Sequence, residues 1–374
     1  MSPEDCTRSA TVGRMASAVR RHDVDWARSY ALLLLISYHV LCSFQPWAHK
    51  LAIPQNAELL EGPFKGAWVL NIWRIPFLFL VSGMSLRLAM NHRGIGELLR
   101  GRSVRILFPL LFGWAVVWPF TMYWSQGHFG RDMAYMPGPG HLWFLQNIYL
   151  YTMMYLGLAR LIGERWRTSV DRINLVVRQR PYGLYLSVIP LMAEAWIVNP
   201  GIFSFYVDPR HGYPLGFVCF SLGYLFAWLG VDFWNAVRKL RHGTTAVVVG
   251  VFSLTGVGIV PPTNPFIAFL STMCMLALLG HGAHRLNRPS PLLSYLTGAV
   301  FPVYIVHFPL QFVGAFFILR LELPVVVKFL FLLASTLVTS FALYEVLLRR
   351  LGWGRLLFGM PRFDRVGRFL PITA

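Results

Sequence analysis

The sequence predicts an all-α protein that crosses a membrane about ten times, with both termini in the cytoplasm. Of its 374 residues, 56% are hydrophobic and only 13% are charged, and the mean hydropathy is +0.52. Soluble chains carry about 25% charged residues. Several apolar runs approach the roughly 20 residues that a helix needs to cross a bilayer core. The basic residues fall in alternate connections between these runs, which is the pattern that orients a multi-pass membrane protein.

Ten apolar segments are predicted to span the bilayer. They are 24–44, 66–90, 105–124, 141–162, 183–198, 214–234, 244–260, 265–281, 293–318 and 325–347. An even number of spans places both termini on one side. That side also carries most of the 34 lysines and arginines, which identifies it as cytoplasmic.

One membrane domain, residues 23–350, accounts for nearly the whole chain, between a cytoplasmic extension (1–22) and a basic cytoplasmic tail (351–374). The first 20 residues contain no apolar core, so we expect an uncleaved signal anchor rather than a signal peptide. The net charge of +18 follows the topology, so no nucleic-acid partner is expected. The four cysteines and eleven histidines show no metal-ligand spacing. We therefore predict no metal site and no permanently bound cofactor.

The first span contains two ionisable residues, Arg28 and His39. Their eleven-residue separation corresponds to about three helical turns, or roughly 16 Å. Ionisable residues inside a membrane span are costly, so they indicate function by default. Apolar surroundings favour the neutral imidazole, which can remove a proton from a hydroxyl group. Two simpler interpretations stay open: a packing role for His39, and a membrane-edge salt bridge between Asp25 and Arg28.

The sequence Arg102-Ser-Val-Arg105 precedes the third span on the cytoplasmic side. Residues three apart share one face of an α-helix, and two guanidinium groups on one face can hold phosphate oxygens. The alternative is that both arginines only mark the cytoplasmic side.

The sequence Pro137-Gly-Pro-Gly-His141-Leu-Trp143 leads from an outer loop into the fourth span. Its prolines and glycines predict a stiff turn that delivers His141 and Trp143 to the outer membrane interface. Trp143 would serve there either as a membrane anchor or as a platform for a sugar ring. In the second span, the small residues at the end of Phe79–Gly83 predict a close contact between helices.

The ninth predicted span carries Tyr304 and His307 on one face, between Pro302 and Pro309. Two prolines in a spanning helix free backbone carbonyl groups, which membrane proteins tolerate where a cavity is lined. Glu345, near the end of the last span, is either a member of this cavity or the partner of an arginine. Two other ionisable residues fall within or near spans: Arg74 and Glu194.

These motifs, in this order, resemble the acyltransferase family 3 membrane proteins over residues 22 to 350. The first resembles the family's Arg-x10-His signature, and the others resemble motifs of its second, third, fourth and late helices. They are Arg28 with His39, Phe79-Leu-Val-Ser-Gly83, Arg102-Ser-Val-Arg105, His141-Leu-Trp143-Phe-Leu and Tyr304-Ile-Val-His307-Phe-Pro309.

The resemblance implies acyl transfer in the bacterial inner membrane, from cytosolic acyl-CoA as co-substrate to a hydroxyl group of an envelope carbohydrate. By analogy, His39 is the catalytic residue, Arg28 is its motif partner, and Arg102 and Arg105 contact acyl-CoA. Residues assigned to the acceptor or the cavity are His141, Trp143, Tyr304, His307 and Glu345. The first helix is also similar to a branch that succinylates periplasmic glucans. Some members carry an extra esterase-like domain after the membrane domain; this sequence shows none, so a periplasmic partner protein is one route for its product.

Two other functions remain open at this point. A glycan or lipid-linked sugar transporter could use the same polar cavity, although the sequence shows no convincing internal symmetry. A membrane-bound O-acyltransferase of the other large family would pair an asparagine with a histidine, here Asn287 with His307.

Overall fold

A computed structural model describes residues 21–259 and 261–360. These residues form helices and their connections, without a β-strand. Of the predicted terminal segments, residues 1–20 and 361–374 lie outside this description. The predicted helical class is therefore confirmed for the part of the chain that is described.

The first half of the described chain contains five long helices. They are α1 (His22–Cys42), α2 (Glu61–Met90), α3 (Ile95–His128), α4 (Trp143–Gln179) and α5 (Pro181–Val198). Helices satisfy every backbone hydrogen bond within the segment, as apolar surroundings require.

The second half contains five more. They are α6 (Pro209–Leu229), α7 (Val231–Gly256), α8 (Asn264–Arg285), α9 (Pro291–Ile318) and α10 (Val325–Leu348). Each predicted span overlaps one of these ten helices.

Seven of these helices are long and apolar enough to cross a membrane, judged by length and composition among the described residues. The other three are α1, α4 and α7. In α1, the polar residues Asp25 and Arg28 lower the hydropathy of the segment. The number of helices that cross the bilayer, and the side on which the termini lie, stay predictions.

The predicted close contact in the second span is confirmed, because α2 and α6 approach each other at glycines. A Cβ atom on Gly83 would overlap the backbone of Phe220, and one on Gly223 would overlap the backbone of Leu80. Small residues let helix backbones approach in this way. This contact fixes α2, which carries Arg74, against α6.

The segment after α10 folds back onto α3. A 3-10 helix, Trp353–Phe358, places the Phe358 ring 5.5 Å from the Phe112 ring, centroid to centroid. Gly359 lies against the carbonyl oxygen of Arg105, and Met360 is buried. The first ten residues of the predicted tail therefore pack against the membrane domain.

Candidate active site

Three histidines from distant parts of the sequence meet in the interior of the bundle. They are His39 on α1, His307 on α9, and His141 in the turn Gly140–Leu142 before α4. Nδ1 of His39 lies 3.0 Å from Nε2 of His307, and the two rings stack at 8°. The His141 ring centroid lies 5.6 Å from that of His307. The sequence predicted all three residues, and the structure brings them together.

The hydrogen bonds of His307 define the tautomers of the pair. Its Nδ1 lies 2.8 Å from the carbonyl oxygen of Tyr304 and 3.2 Å from that of Val303, so this nitrogen must donate. Nε2 of His307 therefore accepts, and Nδ1 of His39 donates to it. This leaves Nε2 of His39 with a free lone pair and, among the described residues, no hydrogen-bond partner. The geometry orients His39 as a base, because the second histidine fixes its tautomer.

A proline attaches His141 to α9. Pro309 has no N–H group, so the carbonyl oxygen of Ile305 loses its donor within the helix. Nε2 of His141 donates to that oxygen at 3.1 Å, and the Tyr304 hydroxyl donates to the His141 carbonyl oxygen at 2.6 Å. The predicted effect of the prolines is thus confirmed at Ile305. His141 itself lies in the interior, 8% exposed, whereas the sequence predicted the outer interface.

The inward course of this turn depends on Gly140 and Trp118. Gly140 has a φ of +48°, and its α-carbon faces the Trp118 indole so closely that a Cβ atom would overlap the ring. Trp118 in turn stacks at 19° on Phe308, with 6.4 Å between ring centroids. Phe308 also contacts the rings of His39 and His141, each at 4.9 Å. Sequence analysis missed Trp118 and Phe308, although Phe308 stands between two motif residues.

The Trp143 side chain is half-buried and packs between helices. Its ring packs 6.1 Å from Phe79, near the middle of α2, and 6.4 Å from Phe144. Gly212 of α6 provides the space beside it. Trp143 therefore contacts three helices, and its roles as a membrane anchor or as a platform for a sugar ring stay predictions.

Arg74, which the sequence identified only as an ionisable residue, lies on α2 beside the part of α1 that carries His39. Its side chain is 2% exposed, and its Nη1 donates to the carbonyl oxygen of Leu34 at 3.0 Å. Nη2 donates to Oδ1 of Asn71 at 2.8 Å, and the guanidinium lies 4.5 Å above the Tyr38 ring. Tyr38 immediately precedes His39. Sequence spacing could not place α2 beside this part of α1.

Arg28 lies in the first half of α1, away from the histidines. Its guanidinium donates to the hydroxyl of Ser85 on α2 and lies 3.8 Å from the Asp25 carboxylate. The eleven residues to His39 separate the two side chains by about 16 Å along the helix. The structure thus includes the predicted membrane-edge salt bridge, and it does not bring Arg28 to His39.

Arg102 and Arg105 lie in the same region as Arg28. Arg102 interacts electrostatically with Arg105, Arg28 and Arg93, so four guanidinium groups share this region. Residues Ser103–Leu107 form a π-helical turn, a feature often found at functional sites. The α-helical rule that residues three apart share a face therefore does not hold between Arg102 and Arg105. Arg102 and Arg105 are related by their electrostatic interaction rather than by regular helix spacing.

Glu345 is not a member of the histidine cluster. It forms an ion pair of 2.5 Å with Arg349, and both side chains are about half exposed. Tyr295, which also interacts with Glu345, lies twelve residues before His307 on α9, or about 18 Å along the helix. The structure therefore favours the second interpretation of this residue, an arginine partner.

Glu194 forms a second buried pair, with His211 of α6. Oε1 of Glu194 lies 2.9 Å from Nδ1 of His211, and Nε2 of His211 lies 2.8 Å from the carbonyl oxygen of Phe203. This pair joins α5 to α6 and does not contact His39. Within the described residues, no three His, Cys, Asp or Glu side chains form a group that could hold a metal ion.

Comparison with known proteins assigns the chain to a family. A family model described as an acyltransferase domain, that of acyltransferase family 3, matches residues 21–345, from the start of α1 into the last turn of α10. The histidine cluster, Arg74 and the four neighbouring arginines (Arg28, Arg93, Arg102 and Arg105) all lie inside this match. No curated protein and no solved structure matches the chain. Because the match covers well over half of the sequence, the chain belongs to acyltransferase family 3 and is a multi-pass membrane acyltransferase.

Proposed function

We propose that this protein transfers an acyl group, such as acetyl or succinyl, from cytosolic acyl-CoA to a hydroxyl group of an envelope or exported carbohydrate. The observation that carries the proposal is the His39–His307 pair, in which Nε2 of His39 is an oriented base. General-base catalysis by a positioned histidine typically contributes 10²–10⁴-fold to a rate.

The cytoplasmic arginines are suited to bind the donor. CoA carries a diphosphate and a 3′-phosphate, and arginine is the preferred side chain for phosphate oxygens. Four guanidinium groups, on Arg28, Arg93, Arg102 and Arg105, interact with one another at the cytoplasmic ends of α1 to α3. In this proposal, Arg28 contacts the donor phosphates, and the extended pantetheine arm leads the thioester towards His39.

The reaction at His39 has two routes through the same nitrogen. In direct transfer, Nε2 takes the acceptor hydroxyl proton while the hydroxyl oxygen attacks the thioester carbonyl carbon. The carbon–sulfur bond then breaks, and the CoA thiolate takes a proton from the imidazolium. In covalent transfer, Nε2 attacks the thioester carbonyl carbon, and CoA leaves as its thiolate. The acceptor hydroxyl oxygen then attacks the acyl-imidazole, the bond from Nε2 to the acyl carbon breaks, and the hydroxyl proton passes to the CoA thiolate. His307 supports both routes by accepting the Nδ1 hydrogen bond.

The acceptor would approach from the outer side. Trp118 and Phe308 pack beside the histidine cluster, and aromatic faces pack well against the apolar faces of sugars. We propose the bacterial inner membrane as the location, with the carbohydrate on its periplasmic side. A periplasmic partner could then receive the acylated product.

The other predicted functions have less support. The Asn287–His307 pairing is not formed, because Oδ1 of Asn287 accepts a hydrogen bond from the backbone N–H of His22 at 3.1 Å. A sugar transporter remains the second candidate, but it would have no use for an imidazole whose tautomer is fixed by a second histidine.

Mass spectrometry of alkali-labile acyl groups on the envelope glycans of the host tests the proposal. Four strains at matched expression are compared: wild type, deletion, His39→Ala and His49→Ala. His49 is the matched control, because it is exposed and bonds to Gln55 away from the cluster. We expect one ester-linked acyl group to be absent from the deletion and His39→Ala strains only. Loss of a whole glycan in the deletion strain, with His39→Ala normal, would instead support transport.

A further inference from the structure

Arg74 is a buried cation without a carboxylate partner among the described residues. The side chain is one of the largest that are fully buried in the protein. Removing a charge from water without an opposite charge destabilises a protein strongly. A position that retains such a charge therefore requires an explanation beyond packing.

The neutral partners of Arg74 hold its position without neutralising its charge. Nη1 and Nη2 bond to the Leu34 carbonyl oxygen and to Asn71, and Nε has no hydrogen-bond partner among the described residues. Asn71 is itself fixed, because its amide donates to the Tyr38 hydroxyl at 3.1 Å and to the Ser204 carbonyl oxygen at 3.2 Å. The guanidinium is thus held in one orientation before any substrate binds.

The charge of Arg74 acts on the proposed reaction centre. Arg74 interacts electrostatically with both His39 and His307. The other charged or titratable groups that act on His39 are His307 and His141, and neither is an acid. Within the described part of the chain, the electrostatic surroundings of the imidazole pair therefore contain a fixed positive charge and no negative one.

We propose that Arg74 stabilises the negative charge that develops on the acyl carbonyl oxygen when the acceptor attacks. As the new carbon–oxygen bond forms, the hydroxyl proton moves to Nε2 of His39 and the carbonyl electron pair moves to oxygen. Collapse of this oxyanion breaks the carbon–sulfur bond. A fixed charge in a dry site acts strongly over a distance, and its effect is greatest in the transition state. This inference rests on the proposed acyl transfer.

The test measures transfer from radiolabelled acetyl-CoA and succinyl-CoA, using the envelope glycan fraction of the deletion strain as acceptor and protein in lipid nanodiscs. We expect Arg74→Gln to lower kcat about 10²-fold or more, as for loss of one oxyanion donor. KM for both donors should stay within about twofold, since ground-state binding is not affected. Arg74→Lys, which keeps the charge, should retain much more activity than Arg74→Gln.

Asn71→Ala removes one hydrogen-bond partner of Arg74 and leaves the charge, so we expect it to lower kcat less than Arg74→Gln does. If the role of Arg74 were merely structural, Asn71→Ala and Arg74→Lys would lose activity to the same extent as Arg74→Gln, and they would lose thermal stability with it. That result would overturn the proposal. A raised KM for succinyl-CoA alone would also overturn it, by assigning Arg74 to a carboxylate of the donor. Failure of the proposed function is distinguishable, since then neither wild type nor His39→Ala would transfer label.

Discussion

Substitution of Gly140 by alanine should damage the active site through the position of one turn. The glycine has a φ of +48°, in the left-handed region, where an L-residue costs about 1–2 kcal/mol. A Cβ atom at this position would also overlap the Trp118 indole. The indole cannot retreat freely, because its ring stacks on Phe308. Gly140→Ala therefore adds a steric term to the backbone term.

The steric overlap at Gly140 should lower kcat, because His141 directly follows Gly140 and contacts His307. A displacement of about 1 Å in an active site can cost 10²-fold in rate. We expect Gly140→Ala to lower kcat between tenfold and 10²-fold and to leave KM for acyl-CoA unchanged, since the cytoplasmic arginines are untouched. Thermal unfolding in detergent and steady-state transfer kinetics measure the two effects.

Gly130→Ala separates the backbone cost from the steric cost. Gly130 has a φ of +61° but nothing within 4 Å of an added Cβ atom, so it should carry the backbone cost alone. Its kcat should therefore equal that of the wild type. Equal kinetics for Gly140→Ala and Gly130→Ala would refute the argument that the turn positions His141 through Trp118.

Three other substitutions address the donor site and the imidazole pair. Replacing Arg102 and Arg105 with alanine should raise KM for acyl-CoA with the fold intact. An unchanged KM would mean that the two arginines only orient the chain in the membrane and do not bind the donor. Gly359→Ala should also raise that KM, because its Cβ atom would overlap the Phe301 ring and lie 2.8 Å from the Arg105 carbonyl oxygen. Gly130→Ala, which shares the positive φ but has open space around it, is its control, and equal values for the two would exclude the steric effect. His307→Ala should lower kcat by at least 10²-fold in the same assay, since His39 loses the hydrogen bond that fixes its tautomer. A wild-type kcat would show that the His39–His307 hydrogen bond is not needed for transfer.

The sequence predicted the helices well, because apolar segment length and basic-residue distribution are local properties. Each predicted span overlaps a helix, and the sequence identifies His39, His141 and His307 as candidate site residues. Their meeting could not be predicted by spacing, since His39 and His307 are 268 residues apart. Position along a helix can be read from sequence, whereas the choice of neighbouring helices depends on side-chain packing. Arg74 is the clearest example, because its relation to His39 exists only between two helices.

Local rules also failed where the backbone departs from regular geometry. The interface position was predicted for His141 because its motif follows a loop, but that loop turns inward at Gly140 and leaves His141 8% exposed. The shared face expected for Arg102 and Arg105 assumed an α-helix, and the chain forms a π turn there. Neither deviation has a strong sequence signal, since glycine and proline mark a break without giving its direction.

Two prolines, Pro76 in α2 and Pro309 in α9, leave a backbone carbonyl oxygen of their own helix free to accept a hydrogen bond from another part of the chain. Pro76 frees the carbonyl oxygen of Ile72, which accepts the Tyr206 hydroxyl at 3.0 Å, as Pro309 frees Ile305 for His141. Pro309→Ala should restore an N–H group that competes with His141 for the Ile305 oxygen. Stability should then stay equal or increase.

Activity should move in the opposite direction, since His141 loses its anchor on α9. Loss of one hydrogen bond worth about 1–1.5 kcal/mol corresponds to roughly a tenfold lower kcat. Pro302→Ala is the control on the same helix, because the carbonyl it frees, that of Gly298, lies nine residues before His307. Melting temperature and transfer rate of the two variants test the reasoning together. A Pro309→Ala protein that is less stable but fully active would show that this proline serves the helix and not the site.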